Sequence, residues 1–85
     1  MTKFGLAILQ VLNDNDVSTS SKAFSISRIL ELIPEKQRKS YSTTYRHLQS
    51  MVTQGYIKRG FSDGMASTYF IGETGKSLCK AQEEF

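Results

Sequence analysis

Arg46 is a lone cation among short hydrogen-bonding side chains, with Ser42, Thr43, Gln49, Ser50 and Thr53 within two helical turns of it. A guanidinium presents a planar fork of donors that matches the O6 and N7 of guanine, or a phosphate, in two parallel hydrogen bonds. Lys36, Arg38 and Lys39 precede this stretch, Lys58 and Arg59 follow it, and no acidic residue occurs between Glu35 and Asp63. With 8 acidic residues in the chain, random placement would rarely leave such a gap. The net charge is only +3, and outside the gap the chain is net acidic. Phosphate binding needs a basic face, not a basic protein. Ser40, Ser42 and Thr43 open the same stretch, where hydroxyls and unpaired backbone N–H groups at a helix start suit a phosphate oxygen. The set reads as a surface for a polyanion. Arg46 faces a base with Gln49 and Ser50 beside it, while Lys39, Lys58 and Arg59 hold phosphates.

Other chemistries have little to work with. His47 is the single histidine, and its neighbours Arg46 and Gln49 offer no orienting carboxylate. Glu83 and Glu84 are adjacent near the terminus and read as solvating a helix end. Gly72, Gly75 and Lys76 lack the spacing of a phosphate-binding loop and follow a hairpin, so they read as turn and cap residues. Cys79 is the only cysteine; it excludes an internal disulfide, makes no zinc site with His47 alone, and reads as a buried or half-buried thiol of a reducing cytoplasm. No enzyme activity, metal or cofactor is expected.

The elements that position these residues come from the apolar spacing. At 85 residues with 39% hydrophobic and 22% charged content, the chain reads as one soluble domain, 1–85, with one modest core. No run approaches the ~20 apolar residues that span a bilayer, so no membrane contact is expected. The opening "MTKFGLAILQVLNDND" lacks a small-residue cleavage site and reads as a helix of the mature protein. Thr2 caps it, and Phe4, Ala7, Ile8, Val11 and Leu12 form its stripe. A short strand at Lys22 to Phe24 follows, then a helix capped by Ser25 with Ile26, Ile29, Leu30 and Ile33 inward, stopped by Pro34. A third helix starts near Ser40 or Ser42, runs to about Gln54 and stops at Gly55. Its expected inward residues are Tyr41, Tyr45, Leu48, Met51 and Val52, with Thr44 at the margin. "GYIKRGF" and "STYFIG" flank "SDGM", and Asp63-Gly64 at its centre predicts a two-residue hairpin loop. "ETGKSLCKAQEEF" predicts a last helix capped by Thr74, with Leu78, Ala81, Gln82 and Phe85 on one side.

Three helices, the last of them basic, then a two-stranded wing and a C-terminal helix predict an α+β, mainly α, winged helix-turn-helix. The stretch "TYRHLQSMVTQGYIKRGF…STYFIGETGKSL" resembles the matching region of PadR-like and MarR-like winged-helix regulators. The likeness runs from about Ser25 to Leu78, and "GMASTYF" is similar to the wing of small fimbrial-switch coregulators. PadR-like proteins carry a long C-terminal dimerisation helix that this sequence, ending at Phe85, does not show. The resemblance implies a transcriptional regulator that binds double-stranded DNA, with a recognition helix at about 41–54 in the major groove and a wing at about 56–71 on the backbone. A protein-docking winged helix and an accessory factor for replication or recombination are the alternatives. Leu6 and Leu9 lie off the first helix's stripe. With Leu78 and Phe85 they are the expected interface of a two-fold homodimer.

Overall fold

Hydroxyl side chains fix where three of the helices begin. Thr2 precedes α1 (Lys3–Asp14) and its Oγ1 accepts from the Gly5 N–H at 3.0 Å. Ser25 caps α2 (Ile26–Leu32) through the Arg28 N–H at 3.3 Å, and Ser40 caps α3 (Tyr41–Thr53) through the Thr43 N–H at 3.2 Å. Each cap supplies an acceptor to a backbone donor that the helix itself leaves unpaired. Pro34 closes α2, and Gly55, at φ +85°, closes α3 in the left-handed conformation that glycine adopts without strain. The computed structural model describes every residue except Asp63, Met65, Glu84 and Phe85.

Three short strands form one antiparallel sheet: β1 (Phe24–Ser25), β2 (Ile57–Arg59) and β3 (Thr68–Ile71), with β3 central. β1 falls beyond the expected Lys22 to Phe24 because Ser20–Lys22 winds into a 3₁₀ turn. In the hairpin, Ile57 pairs Ile71, Lys58 pairs Phe70 and Arg59 pairs Tyr69. This register centres on Gly64, at φ +63°, not on the Asp63–Gly64 bond of a two-residue loop; Asp63 itself lies outside the described residues. The final helix, α4 (Glu73–Glu83), starts one residue before Thr74, which therefore lies in its first turn and is not its cap.

α1 is the hub. It packs against α2, α3, β3 and α4, and so it buries more than the single stripe expected of a surface helix: Phe4, Gly5, Ile8, Leu9, Val11 and Leu12. Val17 from the loop after α1, Ile26, Ile29 and Ile33 from the α2 segment, Leu48 and Met51 from α3, Ile57, Tyr69 and Ile71 from the sheet, and Cys79 from α4 complete the core. Leu9 is 0% exposed. It sits beneath α4, where a Cβ on Gly75 would lie 3.2 Å from Leu9 Cδ2 and 2.3 Å from the Tyr56 carbonyl oxygen. Leu9 therefore belongs to the core and is withdrawn from the expected dimer interface. Leu6 and Leu78 are half-buried, and Phe85 lies outside the described residues. Cys79 is buried, as its place on α4's inner side requires.

Candidate nucleic-acid interface

The inward edge of α3 is narrow: Thr44, Leu48 and Met51 are its buried residues. Thr44 occupies an apolar position because its hydroxyl is satisfied locally, Oγ1 donating to the Ser40 carbonyl at 2.8 Å. A buried hydroxyl with such a partner carries no desolvation penalty to speak of. Once Thr44 marks the inner edge, the helix is turned by roughly 50° from the expected orientation, at 100° per residue. Tyr41 and Tyr45 consequently move out of the core and stand 56% and 42% exposed. Their expected core role is corrected.

That rotation leaves Ser42, Arg46 and Thr53 opposite the core, with Gln49 half-buried on one shoulder and Ser50 exposed on the other. Thr53 Oγ1 bonds back to the Gln49 carbonyl at 3.1 Å, and Gln54 Nε2 donates to Ser50 Oγ at 3.1 Å. Ser40 and Thr43 are tied to each other, Ser40 Oγ donating to Thr43 Oγ1 at 3.0 Å while it caps the helix. Their hydroxyls are thus oriented by the cap, and Thr43 is half-buried. Lys39, Arg46, Lys58 and Arg59 are exposed, and among the described residues no ion pair engages them. Their charge remains directed to solvent.

The cations border α3 on both flanks. On the wing side β2 packs against α3 and carries Lys58 and Arg59. Tyr41 and Tyr45 lean towards this side, within electrostatic reach of the Tyr69 phenol that Arg59 also faces. Tyr69 is fully buried and its hydroxyl has no hydrogen-bond partner of acceptable geometry. Burial pushes its pKa up, opposed in part by the Arg59 charge and the nearby Ser67 hydroxyl. On the other flank, Lys3, Lys36 and Lys39 line an open groove of about 730 Å³ between α1 and the α2–α3 connection. His47 lies in that groove, edge-on to Phe4 with ring centroids 5.1 Å apart. No acidic residue, serine or cysteine lines it, so His47 has no proton-transfer partner there. Among the described residues no group of three or more His, Cys, Asp and Glu converges on a metal position.

Sequence reasoning undervalued two residues here. Arg38 is exposed and lines the same groove as the lysines, but its guanidinium is held by the backbone: its Nε donates to the Ile33 carbonyl at 2.8 Å and its Nη2 to the Glu31 carbonyl at 3.1 Å. It caps the carbonyl end of α2 and fixes the turn that aims α3. Lys3 sits on α1, far in sequence from the acid-free span, and only the fold brings it beside Lys36 and Lys39.

No protein-family model and no curated protein sequence matches the chain. Solved structures do. The DNA-binding TubR fragment of Clostridium botulinum superposes with a TM-score of 0.72 at 25% identity, over 95% of both chains. A candidate DNA-binding protein of Ralstonia eutropha superposes equally well, TM-score 0.72 over 96% of both chains, at 13% identity. A candidate HxlR-family transcriptional factor of Thermoplasma volcanium gives 0.68 at 22% identity, covering 94% of this chain and 64% of its own. The fold of this chain is the winged helix-turn-helix, with β2–β3 forming its wing.

Proposed function

We propose that the chain is a sequence-specific double-stranded DNA-binding regulator of transcription, without enzymatic activity. The supporting observation is the outward face of α3, whose Arg46 and short hydroxyl and amide side chains are bordered on both flanks by cations that no described residue pairs. In this reading α3 enters the major groove, where Arg46 reads a base, and the wing follows the adjacent backbone with Lys58 and Arg59 on phosphates. The description of TubR as DNA-binding, at 25% identity over nearly the whole chain, favours the same partner. The same reading puts its work in the cytoplasm; no described helix is long and apolar enough to cross a membrane.

The test is selection of a binding site from random duplexes, then fluorescence anisotropy on the selected and a scrambled sequence across a salt series. The expected result is preference for the selected site and a log–log salt slope of about −3 or steeper, roughly −0.9 per phosphate contact. Equal, salt-insensitive binding to both sequences, or none, favours the protein-docking alternative. A site at an origin or recombination junction instead of a promoter assigns the accessory role, with the same DNA chemistry.

A two-fold homodimer is part of the proposal. With Leu9 in the core, the interface is redrawn around Leu6 and Leu78, the half-buried leucines of the packed pair α1 and α4. Such a dimer sets two recognition helices about one DNA turn (~34 Å) apart on an inverted repeat. Sedimentation as a monomer at tens of micromolar, free and on DNA, refutes it without touching the DNA reading.

A further inference from the structure

Phe61 is the most exposed large apolar side chain among the described residues, at 70%. A single exposed apolar residue is ordinarily unremarkable. The mounting of this one is different. Its own N–H donates to the Ser20 carbonyl at 3.4 Å, and its own carbonyl accepts from the hydroxyl of Thr68, which is 5% exposed. The preceding Gly60 N–H donates to the Thr68 carbonyl at 2.9 Å. Gly60 is also pressed against the 3₁₀ turn: a Cβ there would lie 2.3 Å from Ala23 Cβ and 2.9 Å from both the Ser20 oxygen and Thr68 Oγ1. The backbone at the base of the wing is thus clamped from two sides, while the phenyl ring it carries is left uncovered. Two exposed cations, Lys58 and Arg59, end β2 just ahead of Gly60.

We propose that Phe61 is an apolar wedge, carried by the wing into the minor groove, where it unstacks a base step and bends the duplex. The inference rests on the DNA-binding reading above and adds a second mode of recognition to it. Side chains that open base steps from the minor groove are apolar and bulky, and the bend they produce brings more protein surface onto the backbone. A wedge has to resist being pushed back, which a freely moving loop cannot do, and the Ser20 and Thr68 hydrogen bonds supply that resistance. Lys58 and Arg59 hold the flanking phosphates while the step opens. The cost of opening is lowest at TA and CA/TG steps, so the wing reads sequence through deformability at a place where α3 makes no contact.

The experiment uses the full chain and its selected duplex. Bend angle is measured by energy transfer between the duplex ends, and unstacking by the fluorescence of 2-aminopurine placed at successive steps outside the α3 contact. The wild type should bend the site by about 20–90° and brighten the probe at one step. Phe61→Ala should lose most of the bend and the brightening, and bind roughly tenfold more weakly, with unchanged thermal unfolding because the ring is not part of the core. Phe61→Leu should keep most of both signals, since apolar bulk is the requirement. A wild-type bend in Phe61→Ala, or wild-type binding without a bend, overturns the wedge and leaves the DNA reading standing. A concentration-dependent self-association lost in Phe61→Ala, with bend and brightening intact, makes the ring a protein contact and also overturns it. Failure of the wild type to bind any duplex removes the underlying reading itself.

Discussion

α1 and α3 are nearly equal in length, 12 and 13 residues, yet α1 buries six of its residues and α3 only three. The difference is one of neighbours. α1 is ringed by α2, α3, β3 and α4, so apolar residues are needed on most of its circumference. α3 is held along one edge by Thr44, Leu48 and Met51, with Thr43, His47, Gln49 and Val52 half-buried beside them, and only the opposite face stays open. In a domain this small, where surface is large relative to core, one helix concentrates the burial so that another keeps an open face, the one proposed for recognition. The width of the apolar stripe therefore separates scaffold from interface better than the identity of any single exposed residue.

The largest effect should come from breaking the scaffold side. Leu9→Ala is expected to cost about 2–5 kcal/mol in urea unfolding, the range for a fully buried leucine, whereas Tyr45→Ala on α3 should stay within about 0.5 kcal/mol. Equal costs would dissolve the contrast. The next effect lies on the interface side. Arg46→Ala should lose about 1–3 kcal/mol of DNA affinity and relax one operator position, with the unfolding curve unmoved. Lys58→Ala should weaken every sequence alike and reduce the salt slope by about one unit. Both are measured by anisotropy against salt, and an altered base preference in Lys58→Ala would contradict the division of roles.

A smaller effect tests the hinge between the two surfaces. Thr44→Val keeps the shape and removes the bond to the Ser40 carbonyl, an expected cost of about 0.5–1 kcal/mol in stability. The Thr44 N–H still reaches that carbonyl at 2.9 Å, which limits the loss. The smallest effect concerns Tyr69. Its buried phenol has a pKa raised above the ordinary value near 10, so the unfolded chain ionises first and the native state loses stability as pH rises from about 10 through the folded value. Tyr69→Phe should be neutral or slightly stabilising at pH 7, because it removes an unpartnered hydroxyl. It should also flatten the alkaline loss between pH 9 and 11 in paired urea titrations. A parallel decline in both proteins would place that loss on other groups.

Local signals in the sequence were reliable at most helix ends, though not at Thr74, which lies inside the first turn of α4. Thr2 and Ser25 each cap the helix expected of them, Ser40 settles the start of α3 left open between Ser40 and Ser42, Pro34 ends α2, and Gly55 takes the positive φ of a helix stop. The winged-helix order follows from those signals together with the strand-like runs on either side of Gly64. Orientation was less legible. A tyrosine counts as apolar and a threonine as polar in any periodicity count, yet Thr44 satisfies its hydroxyl four residues back and takes the inner position, turning both tyrosines outward. Leu9 lay off a stripe drawn for one neighbour, whereas α1 has four. The hairpin register, one residue from that of a two-residue loop, depends on pairings that start at Arg59 and Tyr69, well back from the tip. Arg38 and Lys3 exchange importance for a related reason: a cation's role depends on which carbonyls or cations the fold places beside it.

The order of the sheet carries one more consequence, for solubility. With β3 in the centre, β1 and β2 are both edges, each with one side of its backbone ladder unpaired by any strand among the described residues. β1 is two residues long and offers little template for another chain. β2 is guarded by the outward side chains of Lys58 and Arg59, charges of the kind that keep a strand edge from recruiting a neighbour. The same pair would then serve two masters, the phosphate backbone when DNA is bound and the prevention of edge-to-edge assembly when it is not. Neutralising both at once removes the guard along with the grip, and a chain that precipitates after that change has lost its protected edge whether or not it has lost its operator.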